Sequence, residues 1–185
     1  YDDKIKIVPQ STSKVKIDFS KKKKFISFVG KLNSAKGYDI FGEAIIKILN
    51  KYPEWSSIVI GNEPRQKLFY KHQRLKILGF KNNNYVLNKL KEVSISVVPS
   101  KWDEPFGRSS LEAASRGCAI IRSDKGGLNE TTTSSIILNK LTSDELYKQL
   151  DLLIKKPNKL KNLQVKTFKQ FKLTNNRSSN LLDKI

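Results

Sequence analysis

Short apolar runs, each closed by glycine, alternate with amphipathic stretches along this chain. Residues 25–29 (Phe-Ile-Ser-Phe-Val) run into Gly30, 57–60 into Gly61 and 75–78 into Gly79. Runs this short, rich in Ile, Val and Phe and ended by a turn residue, predict buried strands. Further strands are predicted at 94–98, 119–122 and 135–138. Between them, 38–51 places Phe41, Ala44, Ile45, Ile48 and Leu49 on one face of a helix. Shorter helices are predicted at 64–72, 85–91 and 107–116, and longer ones at 143–155 and 158–171. Strands alternating with helices, with crossovers long enough to return in parallel, predict a doubly wound α/β domain with a parallel sheet that binds ligands at the carboxyl ends of its strands. The domain is expected at 25–173, after a lead-in or linker at 1–24 and before a tail at 174–185, which is polar until Leu181-Leu182 and reads as a tail or a final helix.

At 185 residues the chain can bury a core without disulfides. Its net charge of +19 points first to nucleic acid or an anionic membrane. Of 36 basic residues 30 are Lys, scattered among Asn and Ile, with no Arg and aromatic interleaving to stack on bases, which argues against nucleic acid. The dense run Lys21 to Lys24 reads as a solvated lead-in or as a contact for anionic lipid head groups. The single cysteine, Cys118, lies in an apolar run and reads as a buried reduced thiol, consistent with a cytoplasmic protein, peripheral at the inner membrane face if the lysines meet lipid. One Cys and one His (His72) cannot make a zinc site, and no Asp-x-Asp pair is present to hold a metal on a diphosphate, so no metal and no cofactor is expected. The start, Tyr1-Asp2-Asp3-Lys4, is polar and unlike a signal peptide, and without an initiator Met it suggests a piece of a longer protein whose partner domain is missing.

Three polar, glycine-containing segments follow predicted strands and so share one rim. After the first strand comes Gly30-Lys31-Leu32-Asn33-Ser34-Ala35-Lys36-Gly37, where two lysines five apart could converge on one anionic ligand. After the fourth comes Pro99-Ser100-Lys101-Trp102-Asp103-Glu104-Pro105-Phe106-Gly107, running into a helix that holds Glu112, so that seven residues separate the carboxylates Glu104 and Glu112. A helix that opens above a strand's carboxyl edge points free amides and its positive dipole end at a phosphate. Two carboxylates around that point could grip hydroxyls on either side of the phosphate. The third segment, Ser123 to Glu130, carries Gly126-Gly127, which permit close backbone approach to a ligand, and Glu130, which could accept from a hydroxyl. Nucleotide signatures of the G-x-G-x-x-G and G-x-x-x-x-G-K-[ST] types are absent.

The order and spacing of these segments resemble the donor-binding domain of retaining GT-B glycosyltransferases of family four. That family shows Gly-Arg-Leu with Lys-Gly a few residues on, then Pro-Ser, Glu-x-Phe-Gly, a Glu-x7-Glu pair and a Gly-Gly turn ending in Glu. The likeness runs from about Phe25 to Phe171, and the block Glu104-Pro105-Phe106-Gly107 followed by Leu111-Glu112-Ala113 is its most specific part. The resemblance implies a Rossmann-like domain forming the C-terminal half of a GT-B fold. It implies transfer of a sugar from a nucleoside-diphosphate sugar to an acceptor, with retention and without metal, in bacterial cell-surface polysaccharide or lipopolysaccharide biosynthesis. Lys31 and Lys36 would contact the donor's diphosphate, Glu112 the ribose hydroxyls and Glu104 the sugar hydroxyls, with Glu104 and Lys36 as the catalytic pair. Gly30 would give the backbone room at the strand end, amides around Phe106 and Gly107 would meet the sugar or its phosphate, and the Gly79-Phe80 turn would frame the base. Lys31 stands where the family usually has Arg, so a point charge replaces a planar fork. The acceptor wall would belong to an N-terminal domain, without which this chain would be inactive. The alternative is a non-catalytic nucleotide-sugar-binding or interaction module.

Overall fold

The computed structural model describes residues 6–66, 68–132 and 134–184, so the polar start at Tyr1 to Lys4 lies outside the described residues. Six parallel strands form one sheet in the order β3-β2-β1-β4-β5-β6. They are β1 (Lys23–Val29), β2 (Ser56–Ile60), β3 (Leu75–Ile77), β4 (Val93–Val98), β5 (Ala119–Arg122) and β6 (Ile136–Ile137). The helices are α1 (Tyr38–Lys51), α2 (Asn83–Leu90), α3 (Arg108–Ser115), α4 (Leu128–Thr131), α5 (Ser143–Lys155), α6 (Pro157–Gln170) and α7 (Asn175–Leu182). Because neighbouring side chains of a strand point to opposite faces, each apolar run covers two cores. Ile26, Phe28, Val59, Ile95, Val97 and Ile121 face α1 and α5; Ile58, Ile60, Val93 and Ile120 face α2 and α3. Phe28 is central to the first core, with its ring 5.2 Å from those of both Tyr38 and Phe41 on α1.

Strand order places the binding position. From β3 at the edge, the chain passes through α2 to β4, which pairs with β1 on the side away from β2. The connections after β1 and β4 therefore leave the sheet in opposite directions, and the crevice between them is where open α/β sheets take ligands.

Three local features differ from expectation or lie beyond it. The segment 64–72 was expected to be helical, but no helix appears among its described residues, and Lys67 lies outside them. Side chains take over the local hydrogen bonding there: Glu63 accepts from the Arg65 amide and guanidinium, and Gln66 turns to Ser34. Second, α2 begins two residues before the expected Tyr85, because Asn82 Oδ1 caps it by accepting from Tyr85 N at 2.9 Å. Third, the lysine run divides. Lys21, Lys23 and Lys24 are exposed, whereas Lys22 turns inward beneath the sheet. Its ammonium donates to Leu90 O at 3.0 Å, Val93 O at 2.7 Å and Arg116 O at 2.7 Å. Leu90 ends α2 and Arg116 caps α3, so one cation serves carbonyls that two helix ends leave free. The lead-in is also tied down through Ser13, which accepts from the Arg116 guanidinium, and through a bridge from Thr12 to Thr174.

Lys22→Met should lower unfolding free energy by about 2 to 4 kcal/mol in urea titrations, since the carbonyls lose a charged donor away from solvent. Lys21→Met, Lys23→Met and Lys24→Met should change it little, and equal effects at all four positions would contradict this account.

Candidate active site

The loop after β1 is held from two sides. Ser34–Lys36 form a 3₁₀ turn that Asn33 caps, its Oδ1 accepting from Lys36 N at 3.0 Å. Gly37 follows at φ 71, where a Cβ would lie 2.0 Å from Pro99 O, so only glycine lets this loop press against the end of β4. There the Ala35 carbonyl accepts from Lys101 N at 2.9 Å and Trp102 N at 3.1 Å. On the other side the loop after β2 grips it, with Gln66 Oε1 accepting from Ser34 N at 3.0 Å and Glu63 Oε2 from Asn33 Nδ2 at 3.3 Å. Lys36 is left pointing at the crevice, where its ammonium meets both Glu104 carboxylate oxygens at 2.7 Å.

Glu104 is positioned by its backbone. Gly127 N donates to Glu104 O at 2.6 Å, and a Cβ at Gly126 would fall 2.4 Å from that same carbonyl. The Gly126-Gly127 turn was expected to admit a ligand; instead the backbone of Glu104 to Phe106 fills the space. Glu130 is exposed on α4 and lines neither of the cavities described below. Phe106 turns its ring into the core on the α3 side, so what it offers the crevice is backbone. Gly107, at φ 89, caps α3 without a side chain. One turn into α3, Glu112 is buried and accepts from Asn83 Nδ2 at 2.7 Å and Arg108 Nη2 at 3.3 Å. Burial pushes the Glu112 carboxyl above the usual carboxylate range, with the Arg108 charge pulling the other way.

Two adjoining cavities open here, sharing Val29 and Gly30. One, of about 250 Å³, is walled by Lys36, Glu104, Arg108 and Glu112 over a floor of Phe28, Val97 and Val98. The other, of about 520 Å³, is lined by Ile60, Pro64, Phe80 and Val86 together with Lys31, Arg65 and Lys81. The two lysines of the first loop thus serve different cavities rather than one. Asn33, Glu63, Arg65 and Asn83 were not singled out from sequence. Asn33, three residues before the Lys36 amide it caps, carried a signal in that spacing, whereas Asn83 and Glu63 act through contacts distant in sequence. Among the described residues no three His, Cys, Asp or Glu side chains gather to hold a metal ion, and no helix is long and apolar enough to cross a membrane.

A family model of the group 1 glycosyl transferases matches residues 9–170. The chain belongs to this family. Among solved structures, it is similar to the C-terminal domain of a group 1 glycosyl transferase, LpcC from Francisella tularensis, at 26% identity and TM-score 0.71, covering 78% of this chain and 82% of that one. HepE from Anabaena, determined with UDP-glucose, shares the fold at TM-score 0.68 and 20% identity, over 88% of this chain and 49% of HepE. The sheet with its flanking helices is that of the C-terminal domains of GT-B glycosyltransferases. Among curated proteins, the lipopolysaccharide core biosynthesis mannosyltransferase LpsB of Rhizobium meliloti is 27% identical over 123 residues, 60% of this chain and 34% of LpsB. This glycosyltransferase domain thus matches about a third of that relative's length.

An acid whose folded-state pKa is raised costs stability once ionised, a cost present above the folded pKa and gone below the unfolded one. Glu112→Gln keeps an acceptor for Asn83 without the charge, so it should be more stable than the parent at neutral pH. The difference should shrink as the pH falls through the mildly acidic range; a gap independent of pH in thermal unfolding would overturn this.

Proposed function

We propose that this chain is the donor-binding domain of a retaining glycosyltransferase and holds a nucleoside-diphosphate sugar across the β1–β4 crevice. The observation that carries this reading is the Lys36–Glu104 pair, walling with Glu112 a single cavity at the point where strand order reverses. The complex of HepE with UDP-glucose, on the same fold, supports it. Glu112, with Asn83 beside it, is suited to take ribose hydroxyls, and Glu104 those of the donor sugar. Lys36, Lys31 and the uncapped start of α3 supply positive potential for the diphosphate.

In the reaction the acceptor oxygen attacks the anomeric carbon on the face from which the diphosphate leaves, giving retention. The bond from that carbon to the phosphate oxygen breaks, and the acceptor's proton passes to the departing phosphate. Lys36 turns from Glu104 towards the growing negative charge, and Glu104, released, strengthens its hold on the sugar hydroxyls. No metal is needed, because the cations and the helix start already oppose that charge. The acceptor site and the facing wall belong to an N-terminal domain. LpsB's part in lipopolysaccharide core biosynthesis supports cell-surface polysaccharide assembly as the setting, in the cytoplasm. A net charge of +19 suits an acceptor displayed at an anionic membrane face.

Lys36→Ala should weaken a nucleoside diphosphate by about 1 to 3 kcal/mol in calorimetry and leave the plain nucleoside unaffected, whereas Glu112→Ala should weaken both. Equal losses for both ligands in both variants would refute these roles, and no binding of any nucleoside diphosphate or its sugar at millimolar concentration would refute the reading itself.

The domain alone should bind donor and transfer no sugar, because the gripping residues lie on one rim and positioning of the acceptor supplies much of such a rate. In a protein that carries an acceptor domain as well, Glu104→Ala should lower turnover more than donor affinity. Transfer by residues 1–185 alone would count against the half-cleft reading.

A further inference from the structure

We propose that the larger cavity reads the nucleobase through Arg65 and selects a base with a carbonyl edge, uracil or guanine, over one whose edge is an amino group, cytosine or adenine. This rests on the donor-domain reading. If Glu112 and Asn83 take the ribose, the base must lie to one side of them. Asn83 and Val86 stand one turn apart on α2, and Val86 lines the larger cavity, so that cavity is the base's place. Its walls suit a flat heterocycle: Ile60, Pro64 and Val86 are apolar, and Phe80, three-quarters exposed at the mouth, offers a ring to stack on.

The polar side chains around this cavity are unevenly divided. Lys31, Lys81 and Arg65 can only donate, while Asn62 can do either. Glu63 is the one acidic side chain of the lining, and its carboxylate is already engaged. Both oxygens accept from Arg65, through Nε at 2.9 Å and Nη2 at 3.1 Å, and one also accepts from Asn33. That pairing holds Glu63 down to about 2, so it stays an acceptor committed to Arg65. The two-point pairing with the buried Glu63 orients the guanidinium, which is itself largely exposed, and of its five N–H groups three take no partner among the described residues. A fixed planar donor edge matches the adjacent acceptors O6 and N7 of guanine or the O4 of uracil; the amino groups of adenine and cytosine would bring hydrogens against it. A lysine in the same place would still only donate, but without the planar fork and its two-point hold on Glu63 it would discriminate less.

Calorimetry on the 185-residue chain with UDP, GDP, CDP and ADP tests the inference. The better of UDP and GDP should bind roughly tenfold or more tighter than CDP and ADP, the discrimination expected of one good base contact. Arg65→Ala should bring that affinity down to the level of CDP and ADP, neither of which should weaken because the variant frees Glu63 as an acceptor, and Arg65→Lys should keep only part of the preference. CDP or ADP binding as tightly as the best oxo-base ligand, or a preference that survives Arg65→Ala, would overturn the inference and leave the donor-domain reading standing. Failure of all four to bind would remove both.

Discussion

The site depends on one carbonyl. Ala35 O accepts the amides of Lys101 and Trp102 and lies 3.3 Å from the Ser100 hydroxyl, joining the loop after β1 to the loop after β4. The strands beneath them are adjacent, but adjacency alone would leave two independent loops, free to move apart at little cost. Gly37 against Pro99 O brings the backbones close, and the Ala35 bonds then fix their register. Lys101 closes the outside of the joint on Asp39 at 2.5 Å. With Ala35 and Gly37 held on either side of it, Lys36 faces Glu104.

A held pair is useful only if a ligand can reorganise it. Lys36, partly exposed, and Glu104, mostly buried, are each within hydrogen-bond reach of the other, which keeps two opposite charges from lying unpaired in the crevice. A phosphate arriving beside Lys36 offers the ammonium a second anion, and a sugar hydroxyl offers the carboxylate a new donor. Both partners can be replaced together, so the exchange need not leave either charge alone. Glu112 differs. It is held by a neutral amide and a solvent-facing guanidinium, and its burial disfavours ionisation. A carboxylate in that position costs stability when ionised rather than adding it.

What the sequence discloses follows from how locally each feature is determined. Strands closed by Gly30, Gly61 and Gly79, and the helices at Tyr38–Lys51 and Ser143–Lys155, are written in periodicity, because burial of one face sets their ends. The helix expected at 64–72 fails because Glu63 and Gln66 bond to side chains and to the loop after β1, a partner thirty residues away that no local propensity can register. The Gly126-Gly127 turn shows the same limit. Two glycines announce a close approach but do not say by what, and here the approaching group is the Glu104 backbone. Lys31 and Lys36 sit five apart in sequence on a loop whose turn sends them into different cavities. Lys22 looked like one lysine in a run of four, and only the fold shows it beneath two helix ends.

Charge gives the crevice a direction. The lining of the larger cavity carries Lys31, Arg65 and Lys81 against Glu63, whereas the smaller sets Lys36 and Arg108 against Glu104 and Glu112. One is net positive and the other balanced. A ligand with a charged middle and uncharged ends can lie across them in two ways, and the walls decide between the two. The balanced cavity holds the carboxylates that hydroxyls need, while the positive one has apolar walls and committed acceptors that suit a heterocycle. The shared Val29 and Gly30 lie between, with Lys31 lining one cavity and Lys36 the other. On the proposed donor reading, a diphosphate bound over that boundary would have one lysine on each side, from opposite ends of the loop that Ala35 holds in place.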